Sequence, residues 1–413
     1  LADAAPATDP AAGGHEAEQA AGFDSVEPDW LTEARDSARS AGSELNLPTH
    51  KDKGWEFTDL SGLDLEAFTD GLATVTGLER REGHANGAGA EPVVLPLAEA
   101  AATHPDLVRA HLGSLVPGDD VFVARNAARW RDGVLVYVPR GARLAEPLRL
   151  QVEGSAGEAT SWRVLVVLEE GAEAEVWERW DSDGDGLFNG VVELVLGDDA
   201  TLRYVCEQEL SDDSWVFATQ RAEIGRDANL EWTALGFGSA RGKVRMETKL
   251  AGRGSSARVT GAYAGAGTQH LDYDTTQEHA GDHTTSDLAF RGVLADEATA
   301  VWRGMIRVDP GAQQTDAFQE SRNLLLSKEA HADAIPGLEI EADDVRCTHA
   351  AAVAQLDPEQ LYYLKARGLS DAAAKQLVVE GFVGELVERA PAGAAREALA
   401  ERLEQRVGEL LFR

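Results

Sequence analysis

The sequence predicts a mainly β protein with helical segments at both ends, and three observations point to strands stacked as a β-solenoid. Hydrophobic spacing changes from helical to alternating near Asp120, where Val134-Val136-Val138 and Val164-Val166-Leu168 set the new period. A turn pattern then recurs: an aliphatic residue, polar or glycine positions, and a small residue in fifth place. It opens at Val138, Leu168, Leu196, Ile224, Leu250 and Leu294, at spacings of 30, 28, 28, 26 and 44. Half-period turns open at Leu210 and Val308, each 14 residues from a neighbour. The repeating unit is a strand–turn–strand–turn of about 28 residues, which buries a continuous core only by stacking on its neighbours. An antiparallel sandwich with regular hairpins gives similar spacing, so periodicity alone leaves both architectures open.

In chain order, residues 1–25 are poor in bulky apolar groups and read as a flexible extension. Residues 26–117 form an N-terminal helical domain, with Asp29-Trp30-Leu31-Thr32-Glu33 as a helix start and two short helices parted at His104-Pro105. Strands fill residues 118–353, and residues 354–413 form a C-terminal helical domain. Asp357-Pro358 caps its first helix, Arg367-Gly368 closes it, and Ser370-Asp371 opens a second that runs through Val379. A third runs from Ala394 to Leu411. Leu377, Val378, Phe382, Leu386 and Val387 recur at helical spacing. With Tyr362 and Tyr363 they offer an apolar face to a partner or to the domain itself.

At 413 residues the chain has room for two or three structural units. Its net charge is −34, and only 7 of its 38 basic residues are lysines, so carboxylates and arginines dominate the surface. Such a surface resembles that of a halophilic, salt-adapted protein, because at molar ionic strength the Debye length shrinks to roughly 3 Å and self-repulsion fades. Phosphate backbones require clustered Lys and Arg, and no such stripe occurs, which argues against nucleic acid. No apolar run approaches the roughly 18 residues of a membrane span, and residues 1–22 do not read as a secretion signal, so no membrane is expected and the cytoplasm is the default. Cys206 and Cys347 make no disulfide framework, nor do they alone supply the thiolates that usually hold an iron–sulfur cluster.

Cys347 and His349 stand two apart, on the same side of a strand. A soft thiolate with an imidazole suits iron or an iron–sulfur cluster. The same pair also reads as a small buried hydrophobe with a hydrogen-bonded neighbour. Leu338, Ile340 and Ala342 alternate with Glu339, Glu341 and Asp343, and an unbroken alternation would put Cys347 and His349 on the outer face. His270, Glu278, His279 and His283 lie in a Thr- and Asp-rich stretch that reads as a polar ladder or solvated turn rather than a zinc site. The run Asp181-Ser182-Asp183-Gly184-Asp185-Gly186 has Val192 where a calcium loop needs glutamate, and reads as an acidic hairpin. Cys206 and the tryptophans, among them Trp55, Trp162 and Trp302, read as core. No nucleotide fingerprint or nucleophile elbow is present. The grouped carboxylates Asp272, Asp274 and Glu278 would suit a secreted-type β-solenoid enzyme acting on an acidic polysaccharide, against which the helical ends stand.

Four segments carry a resemblance: WEFTDL from Trp55, NAARWRDGVLVYVPRGARLAEPL from Asn126, HLDYDTTQEHAGDHTTSDLAFRG from His270, and the block from Arg322 through Cys347-Thr348-His349 into the helical tail. Together they resemble the SufB/SufD family of iron–sulfur cluster assembly proteins. SufB-type scaffolds carry a cysteine six residues before the proline of that block and a glutamate after its histidine. Here Ala330 and Ala350 stand in those places, which sets the chain on the SufD side and implies that it is not the primary sulfur acceptor. The resemblance implies a right-handed parallel β-helix between helical domains, and an assembly subunit rather than an enzyme. It implies no permanent cofactor but a transient iron or iron–sulfur cluster at an interface, with His349 as a ligand and Cys347 beside it. The implied partners are a SufB-like scaffold or a second copy of the chain, and a SufC-like ABC ATPase received by the C-terminal helices around Tyr362, Tyr363, Phe382 and Leu386.

Overall fold

The computed structural model describes residues 27–78, 91–390 and 394–411, so the extension expected at 1–25 lies outside the described residues. The order opens with α1 (Asp29–Ser43), β1 (Thr69–Gly71), β2 (Thr74–Thr76), β3 (Val93–Pro96), α2 (Leu97–Thr103), α3 (Pro105–His111) and α4 (Val121–Arg129). Then come β4 (Asp132–Val138), β5 (Leu148–Gly154), β6 (Glu158–Leu168), β7 (Glu173–Ser182), β8 (Leu187–Leu196), β9 (Thr201–Glu209), β10 (Trp215–Ile224) and β11 (Asn229–Gly236). The series continues with β12 (Arg241–Leu250), β13 (Ser256–Gly265), β14 (His270–His279), β15 (Thr285–Leu294), β16 (Thr299–Val308), β17 (Asp316–Leu325), β18 (His331–Ile340) and β19 (Arg346–Gln355). Three helices close it: α5 (Pro358–Ala366), α6 (Asp371–Val387) and α7 (Ala394–Leu411).

From β4 onward the chain alternates between two sheets, even-numbered strands in one and odd-numbered strands in the other, all parallel to their neighbours. Two strands per turn make a β-solenoid of about eight turns. The recurrent turn pattern is its corner. In the first four turns fourth place takes a left-handed backbone, supplied by Gly141 (φ 64°), Gly171 (φ 68°), Asp199 (φ 58°) and Asp227 (φ 55°), residue types that tolerate positive φ; in the Leu250 and Leu294 turns that place shifts to Gly254 (φ 72°) and Asp296 (φ 52°). Fifth place points inward where only a methyl fits, and Ala172, Ala200 and Ala228 are fully buried there. The 44-residue gap is one and a half turns, since Leu250 ends β12 in one sheet and Leu294 ends β15 in the other.

In-register parallel stacking sets each side chain on its equivalent in the next turn, which would pile like charges together. The outer face of the odd sheet avoids this by alternating sign from turn to turn. Arg203 lies 3.5 Å from Glu175 and 3.3 Å from Glu231, and Arg258 lies 3.7 Å from Glu231 and 3.9 Å from Asp287. Inside, Trp162, Trp180, Trp232 and Trp302 share one core with the aliphatic inward positions. The helices cover the outer faces: Leu97, Val108 and Trp130 pack with Leu165 on the even sheet, and Val379, Val383, Leu399 and Leu403 pack with Ala262, Ala289 and Val293 on the odd one.

Two expectations change. Asp120 does not open the strand region; its carboxylate accepts from the N–H groups of Phe122 (2.8 Å) and Val123 (3.3 Å) and caps α4, so strands begin at Asp132. The acidic run after Asp181 is a corner rather than a hairpin, because β7 and β8 lie in different sheets.

Candidate functional site

The last turn holds the Cys347–His349 pair. In the β17–β19 ladder Cys347 stands under Ala317 and His349 under Gln319, both of them buried inward-facing residues. The pair therefore lies in the inward column, not on the outer face that unbroken alternation from Leu338 predicts. The reason is geometric: the chain changes sheets between Ile340 and Arg346, and alternation does not carry around a corner. Gln319 crosses the interior to donate to the carbonyls of Gly304 (3.3 Å) and Gly337 (3.1 Å), which ties both sheets together one level inside His349.

Beyond β18 and β19 no further strand is paired among the described residues, so the solenoid ends open. His349 is exposed there, as are Leu338, Ile340 and Val353. Cys347 is half-buried against the Ile306–Val308–Ala312–Ala317 cluster. Burial first, and then the Asp316 carboxylate, push its thiol above the usual range. Binding a cation there would release that proton. Ala330 is buried in the core and Ala350 is half-buried, so no thiol or carboxylate joins from those positions. Among the described residues no group of three or more His, Cys, Asp or Glu side chains gathers to hold a metal.

The other candidate donors are engaged elsewhere. His279 is fully buried inside the solenoid with Nδ1 2.7 Å from Thr284 and Nε2 2.8 Å from Ser286, and burial draws it down to about 4. His283 is exposed at a corner beside Asp282 (3.0 Å). Cys206 is interior, its sulfur 3.5 Å from Gln220 Nε2 and its thiol pushed well up by burial and then by Glu178.

Two segments that resemble the family meet on the even sheet. Thr58 donates to Asp272 and lies 3.2 Å from His270 Nε2, while Lys243 Nζ sits 2.8 Å from the other Asp272 oxygen. Trp55 lies under Lys243 and Arg245, and Glu56 meets Arg303 at 2.7 Å. Removing either partner of a buried pair such as Lys243–Asp272, which joins β12 to β14, costs roughly 3–5 kcal/mol. Thr58 on Asp272 and Glu56 on Arg303 fasten the N-terminal segment to that part of the solenoid. These contacts bear on the grouped carboxylates: Asp272 is covered, Asp274 lies 3.6 Å from Lys243, and Glu278 lies 3.6 Å from Arg221. Each is thus covered or held in an ion pair with a basic side chain of the solenoid.

The C-terminal face expected of Tyr362, Tyr363, Phe382 and Leu386 divides. Leu386 is fully buried against the odd sheet, and Phe382 packs there with Arg291 5.8 Å from its ring. Tyr362 and Tyr363 are 75% and 55% exposed on α5, a helix with no buried residue. Sequence reasoning missed Leu338, Ile340 and Val353 as surface residues. Their signal is positional, inward apolar residues on the last two strands with none to follow.

No helix among the described residues is long and apolar enough to cross a membrane. The solenoid with its open, thiol- and imidazole-bearing last turn defines a class: the family described as "SUF system FeS cluster assembly, SufBD core domain" matches residues 151–382, and "SufBD protein N-terminal region" matches 78–150. The chain belongs to the SufBD family of iron–sulfur cluster assembly proteins. Within it the likeness runs to SufD. The iron–sulfur cluster assembly protein SufD of Bacillus subtilis is 29% identical, over 92% of this chain and 95% of its own length. SufBD family proteins of Mycobacterium bovis (30% identical, 87% of this chain, 89% of theirs) and Synechocystis (26%, 91% of each) are also similar.

Proposed function

We propose that the chain is a SufD-like, non-catalytic subunit of the SUF machinery, working in the cytoplasm. Its open last turn pairs with the matching end of a SufB-like scaffold, or of a second copy. Its α5 receives a SufC-like ABC ATPase through Tyr362 and Tyr363. At the shared edge His349 gives a ligand to transient iron or a nascent iron–sulfur cluster, and Cys347 lies within the same column. The observation that carries this reading is the inward register of Cys347 and His349 on a terminal strand whose edge is unpaired. Two donors from one chain leave a metal's other positions to the partner, and an unpaired edge supplies the main-chain groups for strand addition.

The test is His349→Ala in the co-expressed complex. The subunits should co-purify unchanged, while iron and acid-labile sulfide per complex fall at least twofold. Unaltered cluster content in the purified variant complex would remove His349 from the site.

A further inference from the structure

Far from the last turn, Trp30, Leu31, Leu112, Val116, Trp130 and Arg163 line a cavity of about 500 Å³ where α1 and α4 lie over the even sheet. Its lining is mostly apolar, with Ser37, Arg109 and Arg163 as the polar side chains besides the indoles. Arg163 projects there from the outer face of β6 at 4% exposure, and its side chain makes no hydrogen bond or ion pair within 4.0 Å among the described residues. Its nearest opposite charge, Glu193, is already engaged, accepting from the N–H groups of Gly113 (2.8 Å), Leu115 (2.9 Å) and Val116 (3.2 Å). A guanidinium cannot shed its proton, so burying one without a partner is costly unless an anion joins it.

The surroundings favour the same sign. Trp30 Nε1, also in the wall, is a second buried donor without an acceptor. Arg35 is buried close by with one guanidinium nitrogen unpartnered, although Glu27 meets it at 3.1 Å. Arg109 lies 5.7 Å from the Trp30 ring at the cavity edge. A local excess of arginine inside a chain of net charge −34 marks the place as exceptional for this molecule. The volume falls in the range of small-molecule pockets, about 300–1,000 Å³, which are mostly apolar with few polar groups fixing orientation.

We propose that this cavity binds a small amphipathic anion, one carboxylate or phosphate head on an apolar body, with the head held by Arg163 and the body against Trp30 and Trp130. A guanidinium fork matches either oxyanion, and the apolar walls reject an ion without a hydrophobic body.

Calorimetric titration of the full chain with octanoate, octyl phosphate and octanol tests this. One-to-one saturable binding of at least one of the two anions is expected, with octanol at least tenfold weaker; the two anions distinguish which head the site prefers. Arg163→Gln should lower the anion affinity at least tenfold and raise the melting temperature of the ligand-free protein. Ala127→Phe, which fills the cavity while keeping the Arg163 side chain, should also abolish binding and decides the matter if Arg163→Gln does not fold: anion affinity unchanged in Ala127→Phe would place the binding elsewhere. Heat no greater than dilution for both anions, octanol binding as tightly as the anions, or anion affinity unchanged in Arg163→Gln would each overturn the proposal.

Discussion

At the first turn of the solenoid both sheets are finished by a short antiparallel strand, β3 against β4 and β2 against β5, and Ala73, Val75 and Leu78 pack onto the interior. At the last turn β18 and β19 pair inward with β16 and β17 but have no strand on their outer edges among the described residues, and the inward-column residues Leu338, Ile340 and Val353 are exposed. The chain thus closes one end and leaves the other as an edge of two strands of 10 residues each, with apolar side chains and a thiol–imidazole pair. A long unprotected edge invites pairing, and natural proteins usually blunt such edges with charge, proline or a cap. Pro336 and Glu339 do little here, since Ile340 stays 42% exposed. The contrast teaches that the solenoid is sealed at the end that carries its N-terminal segment and open at the end where we propose that a second chain pairs.

Matched substitutions at the two ends test that contrast most severely. Val136→Asp places an unpaired carboxylate in the sealed interior and should destabilise the monomer by roughly 4 kcal/mol or more, seen as a collapsed urea midpoint. Ile340→Asp at the open end should shift the midpoint by less than about 1 kcal/mol yet reduce association with a SufB-like partner or a second copy at least tenfold in sedimentation. If Ile340→Asp unfolds the monomer as Val136→Asp does, the last turn is structural core and not an interface.

The same division runs through the C-terminal helices and predicts a second, smaller pair of effects. Leu386→Ala empties a sealed site and should cost about 2–5 kcal/mol of stability. Tyr362→Ala with Tyr363→Ala should leave the melting curve in place and weaken capture of a SufC-like ATPase by roughly tenfold or more, since exposed aromatic anchors carry interface energy. Undiminished ATPase capture by the double variant would move the docking surface off α5.

These contrasts also mark what the sequence could disclose. The solenoid was legible because its corners demand a left-handed residue and then a methyl, as at Asp199–Ala200 and Asp227–Ala228, and composition records that demand. Cys347 and His349 stand out by residue type, but their face was not legible, because it follows from pairing with Ala317 and Gln319 some 30 residues away. Phe382 and Leu386 have the spacing of an amphipathic helix, yet periodicity does not say whether the apolar face meets its own sheet or another chain. Arg163 showed nothing in one dimension; only the cavity around it reveals a buried charge without a partner.

The smallest effect separates two histidines of the solenoid. His349 stands at the open end, whereas His279 is enclosed with both ring nitrogens on hydroxyls, and burial holds it at about 4. An unfolded histidine titrates near 6.5, so above that pH both states are neutral and the folded protein keeps its full stability. As pH falls from about 6.5 to about 4, the unfolded chain takes up a proton that the folded one refuses, and stability declines by up to roughly 3 kcal/mol; below about 4 this contribution levels off. Urea midpoints at pH 7.0, 5.5 and 4.5 should therefore fall more steeply for the wild type than for His279→Gln. Equal slopes for the wild type and His279→Gln would show that the interior at His279 admits water and charge, and that the middle of the solenoid is less sealed than its packing implies.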